Sequence, residues 1–353
     1  MKALVLAGGL GTRLRPLTHT MPKQLIPVAN KPVLHYGLRA IKDADITDVG
    51  IVVDGHDDHV RRAIGNGSAF GLNVSYIPQD APSGLAHCVL IAREFLGDAD
   101  FVMYLGDNIV MDGIVALRDD FLTRRPAAMV MTGKVLNPTD FGIAEVDTAD
   151  RIVRLEEKPK VPRSDLAVIG AYAFSPAIHQ AVRSVTPNWR HEREITDALT
   201  WLIDHGFDVN AHPVSGYWKD AGRIDDLLDC NREVLGTIQR AVHGNVGEGS
   251  ELIGPVVVET GASVLASRIV GPAIIGADAS VVRSTVGPCT SIGPDCEVMD
   301  TTIENSILLT GASLRGVRGI SASVIGRSAR VHARSAPERR LILGDDSKML
   351  IEP

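Results

Sequence analysis

An aliphatic residue recurs at almost every sixth position in the C-terminal part of the chain, from Val246 to Val331. Glycines and other small residues occupy most of the intervening turns. One inward apolar side chain per six residues predicts a β-solenoid with three-sided coils. The predicted inward residues form five runs: Val246, Leu252, Val258, Val264 and Val270; Ile269, Ile275 and Val281; Val286, Ile292 and Val298; Leu308, Leu314 and Ile320; and Ile325 and Val331.

The preceding 242 residues follow a different pattern, in which apolar strands alternate with amphipathic helices. This alternation predicts a largely parallel sheet with helices on both faces, and therefore an α/β domain. We predict two domains, residues 1–242 and 243–353, and a closing strand at 339–351. Predicted strands lie at 2–6, 49–53, 74–77, 101–105, 128–134, 143–146, 152–156 and 168–174, and predicted helices at 33–44, 57–64, 84–95, 197–206 and 224–235.

Charge and composition argue against several functional classes. The formal net charge of −7 argues against a general nucleic-acid partner. No apolar run is long enough to span a bilayer and no signal-peptide pattern opens the chain, so we expect a cytoplasmic protein without a membrane partner. The four cysteines form no Cys-x-x-Cys pair, which predicts free thiols: Cys88, Cys230, Cys289 and Cys296.

The first predicted strand runs directly into Gly8, Gly9 and Gly11, and the cations Arg13 and Lys23 follow. Glycines let the backbone turn sharply and approach a ligand, with N–H groups directed at phosphate oxygens. The loop lacks both the third glycine of the dinucleotide fingerprint and the Gly-Lys-Ser/Thr of a P-loop. It therefore predicts a polyphosphate site of another type.

The segment 8–14, Gly-Gly-Leu-Gly-Thr-Arg-Leu, together with Pro22-Lys23, resembles the signature of sugar-nucleotide pyrophosphorylases. The whole chain is similar to the long form of the glucose-1-phosphate thymidylyltransferase family. The resemblance implies a Rossmann-like nucleotidyltransferase domain with a mixed, mostly parallel sheet, and a left-handed β-helix behind it. It also implies Mg²⁺-dependent synthesis of dTDP-glucose from dTTP and glucose 1-phosphate, with UTP as the alternative nucleotide, by a homo-oligomer.

Nucleotide-site residues follow from matching this chain to the family. Gln79 offers a donor and an acceptor that can read a pyrimidine edge, and Gly84 matches the family's second base-contacting residue. Asp107 and Asp220 taken singly suit turns or caps, but the family uses the matching pair for metal. Arg13 and Lys23 are the expected catalytic cations. The expected nucleotide-binding set is Leu6, Gly8, Gly9, Gly11, Thr12, Gln79, Gly84 and Asp107.

Sugar-phosphate residues follow from the same resemblance. Gly142 is expected to donate a backbone N–H to a sugar hydroxyl, and Glu157 to accept from sugar hydroxyls. Lys158 is expected to bind the sugar phosphate and to contribute to catalysis. Tyr172 lies in the strand that the family places beside the sugar, and Arg190 matches a phosphate-binding arginine.

Three positions depart from the family pattern. His191 and Arg193 stand where Gly and Leu are usual, and they weaken the match around Arg190. Ala221 replaces a frequent Thr beside Asp220, a change that leaves the predicted metal pair intact.

Two other functional classes are compatible with an α/β domain followed by a solenoid. A non-catalytic scaffold of the same architecture would have lost the catalytic cations and acids, which this chain retains. An acyltransferase on the solenoid would need a histidine on its coils, and residues 244–330 contain none. The solenoid is therefore expected to serve assembly and stability.

Overall fold

The computed structural model describes residues 1–9, 11–55, 58–188 and 191–333. These residues form two compact units. The first comprises 1–9, 21–26 and 32–221, and the second comprises 11–20, 27–31 and 222–333. The predicted strand at 339–351 lies outside the described residues. No helix within the described ranges is long and apolar enough to cross a membrane.

All eight strands predicted up to residue 220 are present, and the structure adds five short ones in its described residues, of which Asn108–Val110 and Trp218–Asp220 matter for the site. They are β1 Lys2–Leu6, β2 Pro27–Val28, β3 Lys31–Pro32, β4 Asp48–Asp54, β5 Asn73–Gln79, β6 Phe101–Leu105, β7 Asn108–Val110, β8 Ala128–Lys134, β9 Gly142–Val146, β10 Ile152–Glu157, β11 Leu166–Phe174, β12 Val209–Pro213 and β13 Trp218–Asp220.

The α-helices are α1 Val33–Asp43, α2 His59–Ile64, α3 Leu85–Ile91, α4 Arg93–Leu96, α5 Val115–Arg124, α6 Ile178–Ser184, α7 Ile195–Asp204 and α8 Ile224–Gly236. The predicted helix at 84–95 is interrupted at Ala92, where ψ is 1°. Short 3₁₀ turns occupy Thr12–Leu14, Leu17–His19, Lys23–Leu25, Ser68–Phe70 and Pro138–Asp140.

The first unit is built on a mixed sheet that has nine strands in the described part of the chain. Its main path runs β10-β9-β11-β6-β1-β4-β5, and β8 and β12 extend it beside β11. Strands β6, β1, β4 and β5 are parallel, whereas β11 is antiparallel to β6. The parallel order places the carboxyl ends of β1, β5 and β6 on one rim, where ligands bind in such sheets.

Both faces of the central strand are buried, as the apolar run at 2–6 predicts. Leu4 and Leu6 pack into one hydrophobic core, and Ala3 and Val5 pack into another on the opposite face. Successive side chains of a strand point to opposite faces, so a strand between two cores must be apolar throughout. The glycine loop therefore leaves from a strand fixed on both sides.

The second unit contains the solenoid, whose short parallel strands form stacked sheets, as expected for the β-helix of the family. The strands are β14 Ala241–Val242, β15 Asn245–Val246, β16 Glu251–Ile253, β17 Val256–Val258, β18 Ser263–Leu265, β19 Arg268–Val270, β20 Ala273–Ile275, β21 Ser280–Val282, β22 Thr285–Val286, β23 Thr290–Ile292, β24 Glu297–Met299, β25 Thr302–Ile303, β26 Ile307–Leu308, β27 Ser313–Arg315, β28 Val324–Ile325 and β29 Arg330–His332.

Most coils of the solenoid advance seventeen residues: Val256 pairs with Ala273, and Ser263 with Ser280. Three full steps of six would need eighteen, so one side of each seventeen-residue coil is a residue short. The shortened step explains why the six-residue runs in the sequence shift by one. The prediction for Val270 was therefore wrong: Ile269 is fully buried in the solenoid core, and Val270 is only partly buried.

Helix α8 is attached to the solenoid through buried Asn231. Ala29 N donates to Asn231 Oδ1 at 2.8 Å, and Ser291 Oγ donates to the same oxygen at 2.7 Å. Asn231 Nδ2 donates to the carbonyl of Cys289 at 3.0 Å. A buried amide with these donors and acceptors satisfied gives this junction a defined geometry.

Candidate active site

The glycine loop begins at the carboxyl end of β1. Leu6 is buried in the sheet, and its carbonyl accepts from Gly106 N at 2.9 Å. This bond brings the loop after β6 beside the loop after β1. Gly9 has φ of 113°, a conformation that favours glycine. A Cβ on Gly9 would lie 3.9 Å from Lys23 Cε, so the glycine and the lysine stem are neighbours.

Lys23 and Asp107 form an ion pair within this part of the first unit. Lys23 Nζ donates to Asp107 Oδ2, and Asn108 Nδ2 donates to Asp107 Oδ1 at 3.0 Å. Burial acts to raise the pKa of Asp107, but the Lys23 ammonium and these hydrogen bonds outweigh it and hold the pKa below 3.8. Asp107 is therefore a carboxylate at neutral pH although it is largely buried.

The two predicted metal ligands are brought together by the β7–β13 pair. Asp220 pairs with Asn108 in the antiparallel ladder, and Ala221 N donates to Asp107 O at 2.9 Å. No cluster of three or more His, Cys, Asp and Glu side chains suited to a metal occurs in the described ranges. Two aspartates on neighbouring backbone segments nevertheless suit Mg²⁺, which keeps several waters and takes its other ligands from substrate phosphates.

Gln79 is the last residue of β5, and its amide reaches the glycine loop. A Cβ on Gly8 would lie 3.2 Å from Gln79 Oε1, so the amide oxygen faces the open side of Gly8. The amide nitrogen lies 3.1 Å from His87 Nδ1 and 3.4 Å from Cys88 Sγ, both on α3. The sequence prediction included Gln79 but missed these two supporting residues.

Gly84 precedes α3 with φ of 94°. A Cβ there would lie 2.3 Å from the carbonyl oxygen of Arg193. The same carbonyl accepts from Ala86 N at 3.0 Å, and Arg193 N donates to Ser83 O at 2.8 Å. Gly84 is thus required for close backbone packing against Arg193, whatever its role toward a base.

The predicted sugar residues meet where β9 and β10 pair. Glu157 lies opposite Gly142 in the ladder, and a Cβ on Gly142 would lie 3.0 Å from Glu157 Oε2. Thr196 Oγ1 donates to Glu157 Oε2 at 3.3 Å, and Lys158 Nζ lies 3.4 Å from Glu157 Oε1. Lys158 has φ of 45°, and its N donates to the carbonyl of Phe141 at 3.0 Å.

Two groups in this cluster have raised pKa values. Burial raises the pKa of Glu157 above 4.5; Lys158 partly offsets the effect and Glu194 adds to it. Burial also raises the pKa of the Tyr172 phenol, and the charges of Glu157 and Glu194 raise it further. Tyr172 is therefore a neutral donor and acceptor beside Glu157.

The remaining predicted residues belong to the second unit or lie outside the described residues. Gly11, Thr12 and Arg13 belong to the second unit, where Gly11 is left-handed with φ of 56°. Thr18 Oγ1 donates to the carbonyl of Gly11 at 2.8 Å, and the Arg13 side chain is exposed. Arg190 lies outside the described residues.

Asn108 is a further site residue that the sequence analysis missed. It is 3% exposed, and a Cβ on Gly170 would lie 2.6 Å from its side-chain Cγ. Gly170 therefore makes room for the amide that holds Asp107. The adjacent Asp and Asn after an apolar strand were the available signal.

Comparison with known proteins agrees with the family resemblance found in the sequence. The model of the nucleotidyl transferase family matches residues 2–237. Two relatives described as glucose-1-phosphate thymidylyltransferases match over nearly their whole lengths. The protein of Streptomyces griseus is 56% identical over 99% of both chains, and that of Streptomyces antibioticus is 52% identical over 100% of both.

A solved structure supports the same family assignment. The chain is similar to a Bacillus anthracis protein described as a glucose-1-phosphate thymidylyltransferase and solved in complex with sucrose. The TM-score is 0.63 at 33% identity, over 68% of this chain and 97% of that one.

Proposed function

The chain belongs to the nucleotidyl transferase family, and from that premise we propose that it is an enzyme that makes dTDP-glucose. It joins dTTP and glucose 1-phosphate and releases pyrophosphate. The observation that carries this proposal is the 56% identity over 99% of both chains with a relative described as a glucose-1-phosphate thymidylyltransferase.

The nucleotide end of the proposed site is the rim formed by β1, β5 and β6. Backbone N–H groups of Gly8 and Gly9 are suited to phosphate oxygens, and Lys23 supplies a point charge beside them. The family resemblance adds Leu6, Gly11, Thr12 and Gly84 to nucleotide binding. It gives Arg13 a catalytic role as a guanidinium fork on phosphate.

The sugar end is the cluster at β9 and β10. Glu157 accepts from glucose hydroxyls, Gly142 N donates to one, and Tyr172 adds a neutral phenol. Lys158 binds the phosphate of the sugar. Its ammonium lies 3.4 Å from Glu157 Oε1 and has three hydrogens, so it can contact the phosphate as well. The resemblance adds Arg190 as a second phosphate ligand.

The reaction needs no protein nucleophile. A phosphate oxygen of glucose 1-phosphate attacks the α-phosphorus of dTTP and forms the new P–O bond. The bond from that phosphorus to the bridging oxygen of the β-phosphate breaks, and its electron pair leaves with pyrophosphate. Lys23, Arg13 and Lys158 hold the reacting phosphates in line and neutralise the charge that moves to the leaving group.

Enzymes of this family generally use a divalent metal ion. We propose Mg²⁺, with Asp107 and Asp220 as its protein ligands. The donor set that supports this choice is Asp220, on β13, and Asp107, which directly precedes β7 and accepts from Ala221 N through its carbonyl. The bound ion would supply charge neutralisation on the triphosphate.

UTP is a second candidate nucleotide for a specific reason. The edge that Gln79 can read is shared by thymine and uracil, which differ only in a methyl group at C5. A panel of nucleoside triphosphates against sugar 1-phosphates, with pyrophosphate release measured, tests both. We expect dTTP with glucose 1-phosphate to be the best pair. Absence of pyrophosphate release with every pair would refute the enzyme and favour a scaffold.

For the solenoid we propose a role in stability and in assembly of a homo-oligomer. The aliphatic ladder is fully buried through its central coils, which makes this part a rigid element, and no histidine in residues 244–330 offers acyl-transfer chemistry. We retain the division into a nucleotidyltransferase domain at 1–242 and a β-helix domain at 243–353 as part of this proposal.

A further inference from the structure

Two residues of α3 hold the Gln79 amide, and the proposed reaction gives neither of them a role. His87 Nδ1 and Cys88 Sγ lie 3.1 and 3.4 Å from Gln79 Nε2. Gln79 is only 8% exposed, so water competes little for these bonds. An amide nitrogen carries two hydrogens and accepts nothing, so it is the donor in both contacts.

The chemistry of Cys88 is consistent with this direction. Its Sγ lies 3.5 Å from the carbonyl of Gly84, to which the thiol hydrogen donates. Burial raises the pKa of Cys88 to about 12, so the thiol keeps its proton. The lone pairs of the sulfur are therefore what faces the Gln79 amide nitrogen.

The protonation state of His87 is also consistent with Gln79 as the donor. Burial lowers the pKa of its imidazole and Arg193 lowers it further, against a smaller opposite effect of Asp80. A neutral imidazole with its hydrogen on Nε2 leaves a lone pair on Nδ1. His87 then accepts from Gln79 and stabilises one of the two orientations of the amide.

Both amide hydrogens of Gln79 are consequently donated to other side chains of the protein, one to His87 Nδ1 and one to Cys88 Sγ. The oxygen remains, and it lies beside the open face of Gly8. No group in the described part of the chain donates to this oxygen. The proposed nucleotide site thus presents a hydrogen-bond acceptor at this point and not a donor.

We infer that His87 is a positioning residue that sets base selectivity by holding the Gln79 amide with its oxygen toward the base. Thymine and uracil carry a hydrogen on N3, which this oxygen accepts. Cytosine has a bare N3 whose lone pair would oppose the oxygen, so a fixed amide rejects it. The inference rests on the proposed function, and it adds that cytidine nucleotides are excluded by amide orientation.

Equilibrium binding of dTTP and dCTP to the full-length protein tests the inference. We compare wild type with His87→Ala, which removes the acceptor, and with His87→Asn, whose Oδ1 occupies nearly the position of Nδ1. Loss of one orienting hydrogen bond should narrow the dTTP-to-dCTP preference by about threefold to tenfold in His87→Ala. His87→Asn should restore most of the preference.

The outcomes separate the inference from the proposed function. An unchanged preference in His87→Ala, or a wild type that binds dCTP as well as dTTP, would overturn the role of His87. An equal loss of affinity for both nucleotides would also overturn it, because that result indicates only structural support. Failure of wild type to release pyrophosphate, with the selectivity in binding intact, would remove the proposed reaction and leave the inference standing.

Discussion

The Lys23 ammonium donates to the Asp107 carboxylate, so a proposed triphosphate ligand and a proposed metal ligand are paired in the free protein. Both side chains are largely shielded from solvent, with exposed fractions of 19% and 12%. The pair neutralises a carboxylate that burial alone would make costly. In the proposed enzyme, Lys23 would contact dTTP and Asp107 would hold the metal ion.

The first prediction concerns the metal. Asp107→Asn and Asp220→Asn should each lower turnover at least a hundredfold, because each removes one of two carboxylate ligands. Mn²⁺ binding in the presence of dTTP, followed by electron paramagnetic resonance, should weaken in parallel. Asp98→Asn, whose side chain is 84% exposed, is the matched control. Tight Mn²⁺ binding by both variants would remove these residues from the site.

The comparison of sequence and structure shows which kinds of feature a pattern can reveal. The apolar runs of β1 and β6 identify these strands because burial on both faces leaves no polar position. The β7–β13 pair is only three residues long on each side, too short for a periodic signal. This pair brings the backbone at Asp220 beside the backbone at Asp107. That proximity depends on pairing between segments more than a hundred residues apart.

The solenoid illustrates a second limit on what a sequence pattern can predict. The six-residue period correctly predicted the architecture, yet it assigned both Val270 and Ile269 inward, and the structure fully buries only Ile269. Two adjacent aliphatic residues fit equally well on hydropathy, and only the seventeen-residue coil decides between them. The orientation of the Gln79 amide was beyond prediction for a similar reason, because it depends on side chains that approach in space.

A second prediction follows from the raised pKa of Glu157. As pH falls, Glu157 should become protonated earlier than an ordinary glutamate, and kcat/KM for glucose 1-phosphate should fall with it. The folded state binds this proton more tightly than the unfolded chain, so Glu157 ionisation lowers stability above the folded pKa. Glu157→Gln should therefore raise the melting temperature at neutral pH while it increases KM for the sugar phosphate.

The measurement is a pair of pH series, one of kcat/KM and one of melting temperature, on wild type and Glu157→Gln. Glu156→Gln on the exposed side of β10 is the control. A variant with reduced melting temperature and an unaltered acid limb would show that Glu157 is a structural residue.

The third prediction concerns the solenoid core. Val264 is completely buried, whereas its neighbour Leu265 is 39% exposed. Val264→Asp should cost several kcal/mol, because a carboxylate has no partner inside the coil, and should reduce solubility or assembly. Leu265→Asp should have little effect on stability. Thermal unfolding and light scattering of the two variants provide the comparison, and equal behaviour would contradict the assigned inward face.

The fourth prediction concerns Arg13. If its guanidinium neutralises charge that develops as pyrophosphate leaves, Arg13→Ala should lower kcat about a hundredfold to a thousandfold. KM for glucose 1-phosphate should change little. Arg13→Lys should recover only part of the rate, because an ammonium cannot form the bidentate contact. Steady-state kinetics with both substrates varied decides this, and a change confined to KM would argue for simple binding.

The most direct measurement follows oxygen atoms through the reaction. Glucose 1-phosphate labelled with ¹⁸O at its three non-bridging phosphate oxygens is incubated with unlabelled dTTP and the full-length protein, and products are analysed by mass spectrometry. Attack of the sugar phosphate on the α-phosphorus predicts dTDP-glucose that keeps all of the label and pyrophosphate that carries none. Labelled pyrophosphate, or no dTDP-glucose at all, would contradict the proposed thymidylyl transfer.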